Sequence, residues 1–133
     1  MATLIDSSVL IAIERGDLEL EVLSVRYAEE DLAISAVTAS ELLHGVHRAN
    51  TSAQRHRRQA FVEGLLAQIP VIAFDLTVAR VHASLWAGLA KRGVLIGERD
   101  LMIGATAIAR NLAVATRDAA SFSKIPGLKV EAL

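Results

Sequence analysis

The chain has 133 residues and a formal net charge of −1, so it has the length of one domain and is not a polycation. It contains no cysteine, which excludes disulfides, zinc–thiolate sites and thiol catalysis. Hydrophobic residues make up 53% of it, slightly more than the roughly 45–50% that is usual in soluble domains. This excess predicts either a well-filled core or a buried interface with a partner or a second copy.

No targeting or membrane segment is expected. The longest uncharged run covers residues 64–74 and includes Pro70, whereas a spanning helix needs roughly 20 apolar residues. The N-terminus lacks a basic region followed by a long apolar stretch, so we predict no secretory signal. We therefore expect no membrane association and a cytoplasmic location.

Short apolar runs alternate with amphipathic segments along the chain, which is the pattern of an α/β fold. The predicted elements, in chain order, are a strand at ATLI, helices at SSVLIAIERG and LEVLSVRYAEE, a strand at LAIS, helices at TASELLHGVHRA and TSAQRHRRQAFVEGLLAQI, a strand at PVIAF, helices at TVARVHASLWAGLAKRG and RDLMIGATAIARN, a strand at LAVAT and a short edge strand at LKVEA. The first helix is expected to end near Gly16, and the fourth to begin at Thr51 or Ser52.

The predicted strands are mostly apolar throughout rather than alternating with polar residues. Strands that are covered on both faces have this pattern, and parallel sheets are covered in this way. We therefore predict a single domain over residues 1–133, a three-layer α/β/α sandwich with a central, mostly parallel sheet of four to five strands. In such sheets, ligands bind beyond the carboxyl ends of the strands.

Four acidic residues follow strands or begin helices at that predicted edge. Asp6 follows ATLI directly, and Asp118 comes two residues after LAVAT. Glu41 lies in the first predicted turn after LAIS, and Asp100 begins the helix that follows the loop at residues 93–97. Each has a structural explanation on its own: Asp6 and Asp118 as helix caps, Glu41 in a capping box with Thr38, and Asp100 at the positive end of a helix dipole.

Four carboxylates at one edge repel one another unless a cation lies between them. Mg²⁺ and Mn²⁺ prefer carboxylate and water oxygens, and Mg²⁺ takes substrate phosphate oxygens as ligands. Such a site generates a hydroxide nucleophile and stabilises the charge of a phosphodiester transition state. The sequence therefore predicts a Mg²⁺ or Mn²⁺ site.

Basic residues are concentrated in one segment of the sequence. Between Glu41 and Glu63 there is no acid, but this segment contains four arginines and three histidines. Arg48, Arg55 and Arg58 are the candidate contacts to nucleic-acid phosphates, and a solvated helix face is the alternative. Arg117 is a further candidate for a phosphate contact, with a surface salt bridge as its alternative.

Four segments of this sequence resemble PIN-domain ribonucleases and, more narrowly, the VapC toxins of bacterial toxin–antitoxin pairs. They are LIDSSVLIAIE, TASELLHGV, GERDLMIGATAIARN and LAVATRDAASFSKIPGLKVEAL. The resemblance covers nearly the whole chain, and residues 48–68 contain no motif of the family. Gly104 replaces the alanine that is usual in the third segment.

The resemblance implies a parallel sheet between helices and an acidic cluster that binds Mg²⁺ or Mn²⁺. The four acids of the family match Asp6, Glu41, Asp100 and Asp118. Ser7 and Thr116 match small hydroxyl residues beside the acids, which orient water or a carboxylate. The implied reaction is in-line attack of metal-activated water on an RNA phosphodiester, which leaves 5′-phosphate and 3′-hydroxyl ends. Asp118 is expected to bind a second ion or to act through water.

The implied partners are an RNA substrate, a VapB-like antitoxin whose tail occupies the acidic groove, and a second copy in a homodimer. Promoter DNA is expected to bind only through the antitoxin. A PIN nuclease of housekeeping RNA processing is the alternative enzyme. A non-catalytic phospho-switch centred on Asp75 is the alternative without catalysis, although Asp75 also fits a helix cap.

Overall fold

The computed structural model describes residues 2–133, which form a five-stranded sheet with helices on both faces. The strands in this range are β1 Ala2–Ile5, β2 Asp31–Ser35, β3 Val71–Ile72, β4 Ala113–Thr116 and β5 Val130–Ala132. The helices in the same range are α1 Ser7–Arg15, α2 Leu20–Arg26, α3 Ala36–His47, α4 Ser52–Gln68, α5 Leu76–Lys91, α6 Glu98–Ala109 and α7 Ala119–Phe122. The type and order of these elements follow the prediction, except that α7 was not predicted as a helix.

All neighbouring strands run parallel, in the order β3-β2-β1-β4-β5. The central strand β1 places Leu4 opposite Ala33 of β2 and Val114 of β4. The chain builds outward from β1 to β3 and then returns to the other side of β1 at β4. Ligands bind at such a reversal of strand order, so we expect a ligand site at the carboxyl ends of β1 and β4. The predicted parallel sheet of four to five strands is confirmed.

Alternate residues of the strands face two separate hydrophobic layers. Ile5, Ile34 and Ala115 belong to a core that includes residues of α1 to α4. Their neighbours Leu4 and Val114 belong to a second core, which includes residues of α5, α6 and α7. The strands are apolar throughout because both faces are buried, and the predicted three-layer sandwich is confirmed.

Helix ends follow local capping chemistry. Gly16 ends α1 with φ 83°, and its N–H bonds to carbonyls of the last turn, which is the left-handed cap that glycine permits. Thr51 begins α4 by accepting a hydrogen bond from the N–H of Gln54. Asp75 caps α5 through the N–H of Val78, and its other oxygen pairs with Arg110. These three predicted boundaries are confirmed, including the cap interpretation of Asp75.

The predicted capping box at the start of α3 is wrong. The helix begins at Ala36, and Ser35 is its cap, with Oγ accepting from the N–H of Thr38 at 2.9 Å. Thr38 and Glu41 therefore both lie inside the helix. Because Glu41 is free of the cap, its side chain is available to the edge of the sheet.

Helix α2 and strand β3 are both shorter than predicted. Helix α2 ends at Arg26 rather than continuing to Glu30. Strand β3 has two residues. It begins after Pro70, which has no N–H to donate and joins the ladder only through its carbonyl, accepting from Ile34.

Within residues 2–133, no helix is both long enough and apolar enough to cross a membrane.

Tyr27 connects the end of α2 to the edge strand β5. The residue is 4% exposed, and its hydroxyl donates to Glu131 Oε1 at 3.1 Å. Burial, followed by this hydrogen bond, raises the pKa of Tyr27 to about 12 from its ordinary value of 10.0.

We expect the free energy of unfolding to fall as the pH rises from about 10 to about 12. Over that range the unfolded chain has lost the phenolic proton while the folded protein keeps it, so ionisation favours unfolding. Tyr27→Phe should lower the free energy of unfolding by about 1 kcal/mol at pH 8, because it removes one hydrogen bond. As the pH rises further, the free energy of unfolding should fall less in this variant than in the wild type. Urea unfolding at several pH values measures both effects, and equal alkaline slopes in the two proteins would contradict the assignment.

Gly104 of α6 permits close packing against the segment that follows α7. A Cβ at this position would overlap Cδ1 of Ile125 and touch Leu128. Alanine gains roughly 1 kcal/mol in helix propensity, whereas overpacking of a core costs about 1–3 kcal/mol.

We therefore expect Gly104→Ala to be destabilising by about 1 kcal/mol. The matched control is Gly64→Ala in α4, where a Cβ meets nothing within 4 Å, and this change should be stabilising by up to about 1 kcal/mol. In an Ile125→Val background, Gly104→Ala should lose its penalty. Thermal melts of the single and double variants measure these changes in stability. An unchanged loss of stability in the Ile125→Val background would exclude the contact with Ile125 as its cause.

Candidate active site at the carboxyl edge of the sheet

Asp6 is a buried carboxylate at the end of the central strand. It is 3% exposed, and its N–H continues the ladder of β1 by donating to Ala115. Its Oδ2 accepts from Ser8 Oγ at 2.7 Å and from Thr116 Oγ1 at 2.9 Å. Asp6 occupies the cap position of α1, yet its side chain makes no capping hydrogen bond. The alternative of Asp6 as a helix cap is therefore wrong.

Glu41 approaches Asp6 from α3 through one shared hydroxyl. Ser7 Oγ lies 3.1 Å from Glu41 Oε1 and 3.5 Å from Asp6 Oδ1. A hydroxyl has one proton, so Ser7 donates along the shorter contact to Glu41. The serine thus connects the first turn of α1 with the second turn of α3.

Thr116 connects Asp6 with Asp118. Its side chain is fully buried, and its Oγ1 donates to Asp6 and accepts from the N–H of Asp118 at 2.9 Å. Asp118 is exposed and caps α7, with Oδ1 accepting from the N–H of Ser121 at 3.3 Å. The cap interpretation of Asp118 is confirmed, and the cap places its carboxylate beside the end of β4.

Asp100 joins this group through Ser121. The carboxylate lies in the first turn of α6, and its Oδ2 accepts from Ser121 Oγ at 2.7 Å. Ser121 therefore binds Asp118 with its backbone and Asp100 with its side chain. The structure brings together all four predicted acids, which we call the carboxylate rim: Asp6, Glu41, Asp100 and Asp118.

The carboxylate rim is electrostatically strained. Burial raises the pKa of Glu41, and the charges of Asp6 and Asp100 raise it further, whereas the Ser7 hydrogen bond and Arg99 oppose the shift. Burial likewise raises the pKa of Asp100, with additional repulsion from Asp6 and Asp118, against the hydrogen bond from Ser121. A positive charge that approaches the rim therefore stabilises the charged form of both carboxylates.

The chemistry of the rim fits a hard divalent cation. All four groups are carboxylates, which are ligands that Mg²⁺ and Mn²⁺ take. Hydroxyl and amide donors lie between them. In residues 2–133 no three histidine, aspartate or glutamate side chains are close enough to hold a metal ion as they stand. Binding would thus use water as an intermediate ligand, as Mg²⁺ commonly does, or a small shift of a side chain.

The predicted arginines separate into different surroundings. Arg48 and Arg58 line a groove of about 670 Å³ between α1, α3 and α4, which Glu41 also lines. Arg58 Nη1 donates to the carbonyl of Gly45 at 2.8 Å, so part of this guanidinium joins α4 to α3. Arg55 is exposed and is not part of the groove lining. Arg117 is exposed next to the rim, and its N–H donates to Ser8.

Sequence reasoning missed Ser8, Ser121 and Arg99. Ser8 is the second serine of DSS, and its contact with Asp6 requires the turn at the end of β1. Ser121 stands three residues after Asp118, which is the spacing of a helix cap and was the available clue. Arg99 precedes Asp100 and lines the same groove as Glu41, and nothing in its sequence context indicates this.

The PIN domain family matches residues 3–128 of the chain. The chain belongs to the PIN-domain family. Ribonuclease VapC1 of Rickettsia felis is 32% identical to this PIN domain over 130 residues, which cover 98% of the chain and 95% of the relative. The tRNA(fMet)-specific endonuclease VapC of Salmonella typhimurium is 34% identical over 100 residues, covering 75% of the chain and 74% of that protein.

The fold of this PIN domain is also that of solved VapC structures. A DNA-bound VapBC structure from Salmonella typhimurium matches it with a TM-score of 0.87 and 27% identity, covering 98% of this chain and 97% of the other. These similarities make the protein a ribonuclease of the VapC type, which confirms the family resemblance read from the sequence.

We expect Glu41→Gln and Asp100→Asn to be more stable than the wild type at pH 7 in EDTA. Because the folded protein raises both pKa values, it holds these protons at a pH where the unfolded chain has released them. Stability is therefore greatest below the ordinary carboxyl pKa and falls as the pH rises through the raised values. Removing the charges should raise Tm by roughly 2–8 °C.

Thermal melts measure this effect, with Glu63→Gln, an exposed acid on α4, as the matched control that should leave Tm unchanged. Added Mn²⁺ should raise Tm of the wild type more than that of either rim variant, because only the wild type offers all four carboxylates. A lower Tm for both rim variants in EDTA would contradict the repulsion described above.

Proposed function

We propose that this protein is the toxin of a type II toxin–antitoxin system and acts as a Mg²⁺- or Mn²⁺-dependent endoribonuclease. The observation that carries the proposal is the carboxylate rim, at the reversal of strand order in a PIN domain with VapC relatives. Four carboxylates held together against their own repulsion suit the binding of a divalent cation and of the phosphate that it attracts.

In this proposal Asp6, Glu41 and Asp100 are the main metal ligands, and Asp118 binds directly or through water. A cation held by these residues would supply a nucleophilic hydroxide from water and would stabilise the charge of the phosphodiester transition state. In the hydrolysis the water oxygen bonds to phosphorus, the bond from phosphorus to the 3′ oxygen breaks, and that oxygen takes up a proton. The products are 5′-phosphate and 3′-hydroxyl ends.

The hydroxyl residues of the site act as positioning groups. Ser8 and Thr116 fix the carboxylate of Asp6 at the end of β1. Ser7 holds Glu41, and Ser121 holds Asp100. Groups that orient metal ligands in this way typically contribute about 10- to 100-fold to metal affinity or activity.

The proposed partners follow from the relatives. One 34% identical relative is named a tRNA(fMet)-specific endonuclease, so initiator tRNA is the first RNA to test. A structural relative is a VapBC complex bound to DNA, which supports a VapB-like antitoxin for this chain and contact with promoter DNA through that antitoxin.

We also propose a homodimer, because an exposed apolar side chain is suited to a dimer interface. Trp86 of α5 is 63% exposed, so it lies outside the core. The proposed RNA substrate and antitoxin support the further proposal of a cytoplasmic location.

The decisive assay is cleavage of RNA by the purified protein with Mn²⁺ or Mg²⁺, compared with EDTA. Asp6→Asn and Asp100→Asn should each lower the rate by about 10²–10⁴-fold, because metal stabilisation of the transition state amounts to several kcal/mol. Ser8→Ala should lower it by about 10- to 100-fold. Glu63→Gln, the matched acid away from the rim, should cut at the wild-type rate.

Cleavage at the wild-type rate by both aspartate variants, or undiminished cleavage in EDTA, would exclude the proposed metal site. Cleavage that no VapB-like protein inhibits would instead favour a PIN nuclease of housekeeping RNA processing.

A further inference from the structure

A groove lined by arginines begins at the carboxylate rim and extends away from it. It lies between α1, α3 and α4, has a volume of about 670 Å³, and includes Glu41 at its rim end. Four arginines line it: Arg15, Arg48, Arg58 and Arg99. We call it the arginine groove.

The charge of the arginine groove is opposite to that of the rim. Its lining carries four guanidinium groups against two carboxylates, Glu14 and Glu41. Arg15, Arg48 and Arg99 are exposed, so their charged ends are open to a ligand. The whole chain carries a formal charge of −1, so this concentration of positive charge is local and is not an average property of the surface.

These positions come from three separate parts of the sequence. Arg15 ends α1, Arg48 follows α3, and Arg99 lies in the first turn of α6. The fold alone gathers them around one concave surface. A guanidinium forms paired hydrogen bonds with phosphate oxygens, and spaced guanidinium groups along a groove suit a ligand that carries spaced phosphates.

We propose that the arginine groove binds the RNA backbone on one side of the scissile bond, with Arg48 and Arg99 contacting phosphates that are not cleaved. This inference rests on the proposed function for its substrate. A phosphodiester at the rim belongs to a continuous strand, which must leave the site along a surface that accepts its next phosphates. The groove that shares Glu41 with the rim provides such a surface.

Arg58 has a supporting role in this arrangement. Its Nη1 binds the Gly45 carbonyl and so fixes α4 against α3. Substitution of Arg58 would therefore change the shape of the groove as well as its charge. Arg48 and Arg99 make no side-chain hydrogen bond or ion pair within residues 2–133. Because the charge of Arg99 also lowers the pKa of Glu41, the Arg48 variant is the one that reports on the ligand alone.

The test measures binding of a fluorescein-labelled single-stranded RNA of random sequence, about 12 nucleotides long, by anisotropy, in EDTA and over a series of salt concentrations. Arg48→Gln and Arg99→Gln should each weaken binding roughly 3- to 10-fold at low salt. Each should also lower the slope of log Kd against log salt by about 0.7, the value for one phosphate contact on a single strand. The double variant should lose about twice that slope.

The matched control is Arg80→Gln, which removes the same charge from an exposed position of α5 outside the groove lining, and should leave Kd and slope unchanged. Arg48→Lys should restore most of the salt slope. In a cleavage assay with Mn²⁺, Arg48→Gln should raise KM and leave kcat nearly unchanged, because Arg48 binds the strand away from the reacting atoms.

Equal Kd values and salt slopes for the Arg48, Arg99 and Arg80 variants would overturn the proposal. So would a loss of binding to a poly-glutamate peptide without any loss of binding to RNA, which would make the groove a peptide site. The binding arm contains no metal and requires no catalysis. Failure of the wild type to cut RNA would thus reject the proposed function, while the salt slopes would still decide the role of the groove.

Discussion

Repulsion between carboxylates at the end of the central strand is the constraint that determines how the groups of this site are arranged. Asp6 continues the backbone ladder of β1, so its position is fixed by the sheet, and it is almost completely buried. The other acids must then approach a buried negative charge. Hydroxyl donors from Ser7, Ser8, Thr116 and Ser121 offset part of this cost. Burial, followed by the charges of the other acids, raises the pKa values of Glu41 and Asp100, so the offset is incomplete.

The layered fold was predictable because its cause is local. Strands that are apolar on both faces require helices on both faces, and Leu4 and Ile5 indeed face different cores. Cap positions such as Thr51 and Asp75 depend on contacts within three residues, so they too can be predicted from the sequence. The start of α3 was misjudged because Ser35 and Thr38 both suit a cap, and only the end of β2 decides between them.

The candidate site was predictable in its acids and not in its supporting groups. The four carboxylates follow strands or open helices, and parallel topology gathers such positions at one edge. Ser8 and Ser121 became visible only through contacts across the fold, with Asp6 and Asp100 respectively. Arg48 and Arg55 belong to the same basic segment of the sequence, yet Arg48 lines the arginine groove and Arg55 does not. Which face of a helix meets a groove depends on packing that a charge pattern does not contain.

We propose that the carboxylate rim binds a divalent cation, and Mn²⁺ binding measured directly by electron paramagnetic resonance tests this proposal without any RNA. The signal of free Mn²⁺ should fall on addition of wild-type protein, with saturation at one or two ions per chain, and Mg²⁺ should compete for the same site. Asp6→Asn should bind Mn²⁺ at least about 10-fold more weakly. An unchanged free signal with the wild type, or equal affinity in the Asp6 variant, would contradict the account.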